Sequence, residues 1–317
     1  MTDQRILHVL VPGGQVSPFD LTMALDAGYD NVLPYTGAGA DEVVPLVQDA
    51  IFCRPPKRFA STGVLIAGHD VNLATQMLEL AQGALVPPFQ VALYADPNGA
   101  YSTAAALVAM IEQTIDERDS NGFKDRKVAI FGTGPVGLCT AVLTAKLGGQ
   151  PILCQLTESD DVNAAVRFCE HYGVVVPWVS ALSQSGKISA VEHAGVVVTA
   201  AKAGVQILSK DVLSHAKQLV VAADLNAVPP SGIEGIGAMD NNVPMDVAQD
   251  VFFALGALAI GDMKYKLQKN LFRRMIDPNK PAAVIDFMGA YDEATNMLNR
   301  QNMLVQGDGE GQAAKAG

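Results

Sequence analysis

The chain has 317 residues, 49% apolar and 17% charged, a composition that buries a large core and excludes an intrinsically disordered protein. Its net charge of −11 repels a phosphate backbone and argues against nucleic acid as a partner, with the basic residues between 264 and 274 as the one local exception. No apolar run reaches the ~18 residues of a membrane span, and the polar start at 1–5 runs straight into a strand without a signal-peptide pattern, so a cytoplasmic location is expected.

Taken in chain order, the first third alternates. Strands are predicted at 6–11, 31–34, 61–67 and 91–95, and helices at 18–27, 41–52, 70–82 and 102–117. Ser17 stands as an N-cap with Pro18 at the first helical position. Asp96-Pro97-Asn98-Gly99 is a turn signal that closes the fourth strand. The polar stretch 116–126, with Asn121-Gly122 inside it, marks a domain boundary. A second set begins with a strand at 127–131, continues with strands at 151–156, 173–177, 196–199 and 219–223, and has helices at 134–147, 160–171 and 209–214. Residues 226–250 carry Pro and Gly and no periodicity, and a connection that long without structure is usually functional. Helices are predicted at 261–276 and 287–298, and 306–317 as a disordered tail. Alternation of this kind implies an α/β chain with two doubly wound parallel-sheet domains. The first is expected at 1–118 with a C-terminal helix at about 285–305, the second at 119–284.

Phe131-Gly132-Thr133-Gly134-Pro135-Val136-Gly137 reads G-x-G-x-x-G between an apolar strand and an apolar helix, the context of a dinucleotide site. Gly132 permits the tight turn, Gly134 lets backbone approach a pyrophosphate, and Gly137 lets helix pack on strand. The second domain is therefore expected to be of the Rossmann type. Glu158 follows Gly137 at about the 20-residue spacing of a ribose-binding acid; Gln155 and Thr157 are alternatives for the same contact. No Arg or Lys occurs between Cys154 and Asp161, and a 2′-phosphate is normally met by a basic residue there, so NAD is favoured over NADP. Thr199 and Ala200 should border the same crevice. Asn226 is placed to bond a nicotinamide carboxamide, with Asp224 holding its loop; a turn-forming Asn is the alternative. The four cysteines, at 53, 139, 154 and 169, read as reduced thiols, and the five histidines form no metal-spaced pair. No metal is expected.

Several separated stretches carry a wider likeness. They are Ser17-Pro-Phe-Asp20, Gln48-Asp-Ala-Ile-Phe52 with Arg54, Pro87-Pro-Phe89, Asp96-Pro-Asn-Gly99 with Thr103, the glycine loop, Asp224-Leu-Asn-Ala-Val-Pro-Pro230 with Gly232-Ile233, and Gly256-Ala-Leu-Ala-Ile-Gly261 with Lys264. In that order, from Ile6 to about Leu298, the chain resembles the bacterial NAD(P)-dependent methylene-tetrahydromethanopterin dehydrogenases of one-carbon (formaldehyde) oxidation. It is closer to the form that accepts NAD and NADP than to the NADP-linked form, in which a basic residue stands where this sequence has Leu156. The resemblance implies hydride transfer from the methylene carbon of the pterin carrier to the nicotinamide, leaving a methenyl cation; a tetrahydrofolate carrier would offer the same reacting centre. It also implies that the first domain binds the pterin, and a homo-oligomer.

On this resemblance Asp20, Asp96 and Lys264 are the expected catalytic residues, with Ser17, Phe19, Asn98, Gly99 and Thr103 on the substrate. Asp20 and Asp96 lie at carboxyl ends of strands or at helix starts, where open α/β sheets bind ligands; helix capping is the alternative role for both. Lys264 reads as opening a helix, where the dipole disfavours a cation, so a ligand contact would explain it. His69 departs from the small residue usual in the family. Two rival readings remain: an amino-acid or shikimate-type dehydrogenase, which needs a Lys–Asp proton-transfer pair and is disfavoured by the single lysine, Lys57, before the boundary, and a non-catalytic dinucleotide sensor.

Overall fold

The computed structural model describes residues 4–158, 160–247, 250–280 and 282–313, the side chains of 304–313 excepted. Strands β1 (Ile6–Val11), β2 (Asn31–Thr36), β3 (Thr62–Ile66) and β4 (Ala92–Ala95) lie parallel in the order β4-β3-β1-β2. Helices α1 (Pro18–Ala27), α2 (Ala40–Phe52) and α3 (Val71–Gly83) form the crossovers, and α4 (Ala100–Asp116) leaves the sheet from β4. β3 and β4 are buried along their whole length and β1 nearly so, as continuous apolar runs in a sheet covered on both faces must be. Local chemistry sets the helix starts. Pro18 occupies the first turn of α1, and the Asp70 carboxylate accepts the N–H groups of Asn72 and Leu73 to cap α3.

The second sheet contains β5 (Lys127–Phe131), β6 (Gln150–Gln155), β7 (Trp178–Ser180), β8 (Val196–Thr199), β9 (Val221–Asp224), β10 (Asn241–Val247) and β11 (Asp250–Leu255), with α5 (Pro135–Lys146), α6 (Val162–His171), α7 (Gln184–Val191) and the short α8 (Lys210–Leu213) between them. Its order is β10-β11-β9-β8-β5-β6-β7, parallel except for the antiparallel β10–β11 pair. Three features depart from the sequence-based expectation. The strand expected at 173–177 lies at Trp178–Ser180, because the valine run packs on the core through Val174 and Val176 without pairing, and pairing with β6 begins only at Trp178. The stretch 226–250 is not wholly irregular, since β10 occupies its end. Pro244 masks that strand in the sequence, and an edge strand tolerates a proline. Helix α7, capped by Ser183, was not expected.

The C-terminal return is longer than a single helix. α9 (Ala257–Met275) packs on α1 and α4, β12 (Val284–Ile285) pairs with β4, and α10 (Phe287–Ala313) packs on α4 and α9. Residues from 257 onward therefore build the first unit, although 119–284 was read as one nucleotide domain. The backbone of 306–313 continues α10 where an irregular tail was expected; its glycines at 307, 309 and 311 make it the helix's weakest stretch by propensity. Residues 314–317 lie outside the described residues.

Helix α4 joins the two units. Ala100, Ala104, Ala105, Ala106, Leu107, Val108 and Ile111 are all buried, so α4 is apolar nearly all round, as a helix enclosed on every side must be. It packs against α5, α9 and α10, and one hydrophobic cluster runs without a break from the first sheet through α4 into α5 and β5. Strand order reverses around β1/β3 in one sheet and around β5/β8 in the other, and ligands of such sheets bind at the carboxyl ends of those strands.

Candidate active site

The nucleotide half of the site follows from the glycine loop. Gly132 has φ 127°, and a Cβ there would come within 2.5 Å of the Ala200 carbonyl oxygen; a Cβ on Gly137 would meet the Gly132 oxygen at 2.2 Å. Both positions exclude any side chain. Gly134 differs: a Cβ would find nothing within 4 Å, so open space lies in front of the N-terminus of α5. Gly134 caps that helix with Pro135 in its first turn, leaving free N–H groups and the positive dipole end toward the space. This is a cradle that suits a pyrophosphate.

The loop after β6 is organised by a residue that sequence reasoning passed over. The Asp160 carboxylate accepts hydrogen bonds from Leu156 N, Thr157 N and Thr157 Oγ1, the last at 2.7 Å. Partial burial disfavours its charge, but bonds from Thr157, Leu156 and Thr133 outweigh this and hold the carboxyl below its usual range. Asp160 thus ties the loop carrying Gln155, Thr157 and Glu158 to Thr133 of the glycine loop. Gln155 donates to the Thr157 carbonyl, and Glu158 is exposed.

At the ends of β8 and β9, Asp224 holds its loop as expected. Its Oδ1 accepts from Thr199 Oγ1 at 2.6 Å and from Asn226 N, and its Oδ2 accepts from Ile233 N. Asn226 spends most of its amide on its own turn, leaving one N–H of its Nδ2 without a partner among the described residues. Its oxygen accepts the N–H groups of Gly204 and Val228, and its nitrogen donates to the Pro230 carbonyl. These bonds are the turn-forming role. Thr199 is likewise committed to Asp224, while Ala200 borders the cleft.

The opposite half gathers charge. Asp20 is 4% exposed in the first turn of α1, and Asp96 is 1% exposed after β4. Asp96 was expected to face the crevice, but it turns inward. Tyr94 Oη donates to it at 2.8 Å, Ser102 Oγ at 2.7 Å and Ser102 N at 3.0 Å, so three donors from β4 and α4 satisfy the carboxylate. Lys264 does not open its helix; α9 begins at Ala257, and Lys264 lies two turns in. The dipole argument therefore lapses, and the lysine's surroundings explain it instead. Its Nζ sits 3.9 Å from the centroid of the Phe19 ring, donates to Gln268 Oε1 at 2.8 Å and lies against Gly99. Burial lowers its pKa, against the pull of Asp96 and Asp20. Burial and the neighbouring Asp96 charge push the Asp20 carboxyl up to about 6, opposed by Lys264 and Gln268.

Both halves open on one cavity of about 290 Å³. Thr103, Ile260 and Lys264 line it from the first unit and Val136, Ala200 and Leu225 from the second. Thr103 bonds the Gly99 carbonyl, exposed Asn98 completes that turn, and Ser17, at the N-cap of α1, makes no side-chain capping bond. Larger cavities of about 450 Å³ open on the second unit, one lined by Asp119, Arg126 and His193, the other by Gly149, Pro151 and His193. Neither includes the glycine loop or the charged cluster. Among the described residues no group of His, Cys, Asp and Glu could hold a metal ion.

The family model for the N-terminal part of methylene-tetrahydromethanopterin dehydrogenase matches residues 18–98. An NAD(P)-dependent methylenetetrahydromethanopterin dehydrogenase from Methylorubrum extorquens is 38% identical over 296 residues, spanning 93% of this chain and 99% of the relative. The chain belongs to the methylene-tetrahydromethanopterin dehydrogenase family. A second relative from that organism, the bifunctional protein MdtA, is 29% identical over 282 residues, spanning 89% of this chain and 94% of its own. In fold alone, the chain is similar to the NAD-dependent malic enzyme of Thermotoga maritima, with a TM-score of 0.54 over 92% of this chain and 84% of that one, at 12% identity. The matched segment at 18–98 holds Phe19, Asp20, Asp96 and Asn98. Lys264 comes from α9, which supplies the lysine that residues 1–118 lack at the site.

Proposed function

We propose that the chain moves a hydride from the methylene carbon of methylene-tetrahydromethanopterin to NAD(P), with NAD used at least as well as NADP, and that the cavity between α9 and the glycine loop is where the two meet. The observation that carries this reading is that one crevice is lined by Thr103 and Lys264 on one side and by Val136, Ala200 and Leu225 on the other. NAD(P), when bound, supplies the hydride acceptor. The residues to hold it are Gly132 to Gly137 for the pyrophosphate and the loop at Gln155, Thr157 and Glu158 for the ribose. That loop contains no cation, and Asp160 adds an anion behind it, which disfavours a 2′-phosphate.

The pterin side has an electrostatic task. Loss of hydride leaves a cation spread over the N–C–N centre, so no proton need move at the reacting carbon. Two carboxylates, Asp20 and Asp96, outnumber the single ammonium of Lys264 around the site, and the surplus negative charge stabilises the developing cation. Asp20 acts from behind Lys264, buried in the first turn of α1. Asp96 acts through its field, because its oxygens are already bonded. Lys264 holds the substrate by the donors it does not give to Gln268, with Phe19 as an apolar wall beside it; Ser17, Asn98, Gly99 and Thr103 shape the rim. The remaining work is orientation of two ring systems.

Steady-state kinetics test the assignment. Lys264→Ala should lower kcat/KM for the pterin by ~10-fold or more, about 1.4 kcal/mol of barrier. The Kd for NAD measured without pterin should stay unchanged. Loss of NAD binding in that variant would place Lys264 on the nucleotide instead.

A further inference from the structure

We propose that Gln268 is a positioning residue, whose buried amide holds Lys264 and Asp20 apart and keeps both charges available to the substrate. This rests on the reading of Lys264 and Asp20 as the substrate-side pair. Gln268 is fully buried on α9, one turn after Lys264. It lies within the apolar stripe formed by Ile260, Met263, Leu267, Leu271 and Phe272, where a polar side chain costs free energy unless its atoms are bonded. Both ends are bonded. Oε1 accepts from Lys264 Nζ at 2.8 Å, and Nε2 donates to Asp20 Oδ1 at 3.3 Å, joining residues 248 apart in the chain.

The chemistry of the partners fixes the amide's orientation, since an ammonium only donates and an ionised carboxylate only accepts. A side chain that accepts from one and donates to the other without charge of its own must be an amide, and a glutamine has the reach. Carboxylate and ammonium left in contact would form a direct ion pair, each using up the other's field and donors. Among the described residues no ion pair joins Lys264 to Asp20 or Asp96 within 4.0 Å, although both aspartates act on its charge. Gln268 is the spacer. The charged and titratable groups around it are Lys264 on α9, Asp20 on α1, Asp96 after β4, Tyr94 on β4, bonded to Asp96, and Cys139 on α5, which feels the charge of Asp96.

The test is the pH dependence of kcat in the full-length enzyme with NAD and methylene-tetrahydromethanopterin, for the wild type, Gln268→Met, Gln268→Glu and Asp20→Asn. The wild type should lose activity as pH falls through about 6, where Asp20 takes up a proton. Gln268→Met removes the donor to Asp20. Its acid limb should move up by about one pH unit, the scale of one hydrogen bond to a charged group, and kcat at neutral pH should fall ~10-fold, with the Kd for NAD unchanged. The isosteric Gln268→Glu keeps the acceptor for Lys264 but sets a carboxylate against Asp20, and should move the limb further in the same direction. It decides the matter if the Met variant does not fold. A limb that vanishes in Asp20→Asn but stays in place in folded Gln268 variants of wild-type kcat overturns this proposal alone. A wild-type limb in Asp20→Asn overturns the role of Asp20 and this proposal with it.

Discussion

Asp20 shows what the site costs the fold. Moving a carboxyl from its usual 3.8 to about 6 means that the folded state holds the proton more tightly than the unfolded chain. Asp20 then adds most to stability below pH ~4, and that contribution is lost as pH rises through about 6. At neutral pH the ionised group costs the fold on the order of 3 kcal/mol. Asp20→Asn should therefore raise Tm at pH 7.5–8 by several degrees, with the gain shrinking to nothing near pH ~4, while kcat falls. Calorimetry across that range checks the sign; a Tm lowered at pH 8 would mean that Asp20 stabilises the fold as an anion. Asp96 is the contrasting case. It is equally buried, and its three donors from β4 and α4 build it into the scaffold.

At the scale of the element, the proposed choice of cofactor rests on the loop between β6 and α6. Leu156 lies in that loop, and its backbone N–H is bonded to Asp160. An arginine there would meet a 2′-phosphate with a charge-assisted hydrogen bond. Leu156→Arg should shift the ratio of kcat/KM for NADP over NAD upward by ~10-fold, about 1.4 kcal/mol, from a wild-type value that does not favour NADP. A wild type that prefers NADP ~100-fold would show that a cation from elsewhere reaches the ribose. Much of this half of the site was legible in the sequence. Strand β5, the glycine loop and α5 follow from apolar runs interrupted by three glycines, of which Gly132 and Gly137 leave no room for a side chain while Gly134 faces open space. β10 and the start of α9 were not legible: Pro244 hides an edge strand, and Gly261, inside α9 with open space around it, reads like a helix start. The motif match found Lys264 but not what surrounds it. Gln268 did leave a signal, a polar residue on the apolar stripe of α9, but the stripe is visible only once the helix is given its full length. Asp160 had no comparable signal, because an acid in a loop is ordinary.

The whole molecule is held in one piece by α4 and the C-terminal return. Phe287, at the start of α10, is fully buried. It makes edge-on contacts with Tyr101 of α4 at 5.1 Å and with Tyr172 at 4.7 Å, and a tilted one with Phe168 of α6 at 5.9 Å. Thr75 of α3 links the hydroxyls of Tyr101 and Tyr172. This aromatic cluster joins α3, α4 and α10 of the first unit to α6 and Tyr172 of the second. Phe287→Ala should cost about 3–5 kcal/mol in urea unfolding and lower kcat/KM more than a distant core truncation of equal cost. A stability loss without any kinetic effect would mean that the cluster supports the fold and not the cleft.

Direct transfer between the two halves of that cleft is the central claim, and isotope transfer is its most direct measurement. The full-length protein would be incubated with NAD and methylene-tetrahydromethanopterin deuterated at the methylene carbon, and the reduced nicotinamide examined by NMR. The expected result is reduced nicotinamide carrying one deuterium at C4, formed in step with the methenyl product. Reduced nicotinamide without the label, or none at all with this substrate at saturating NAD, would contradict it.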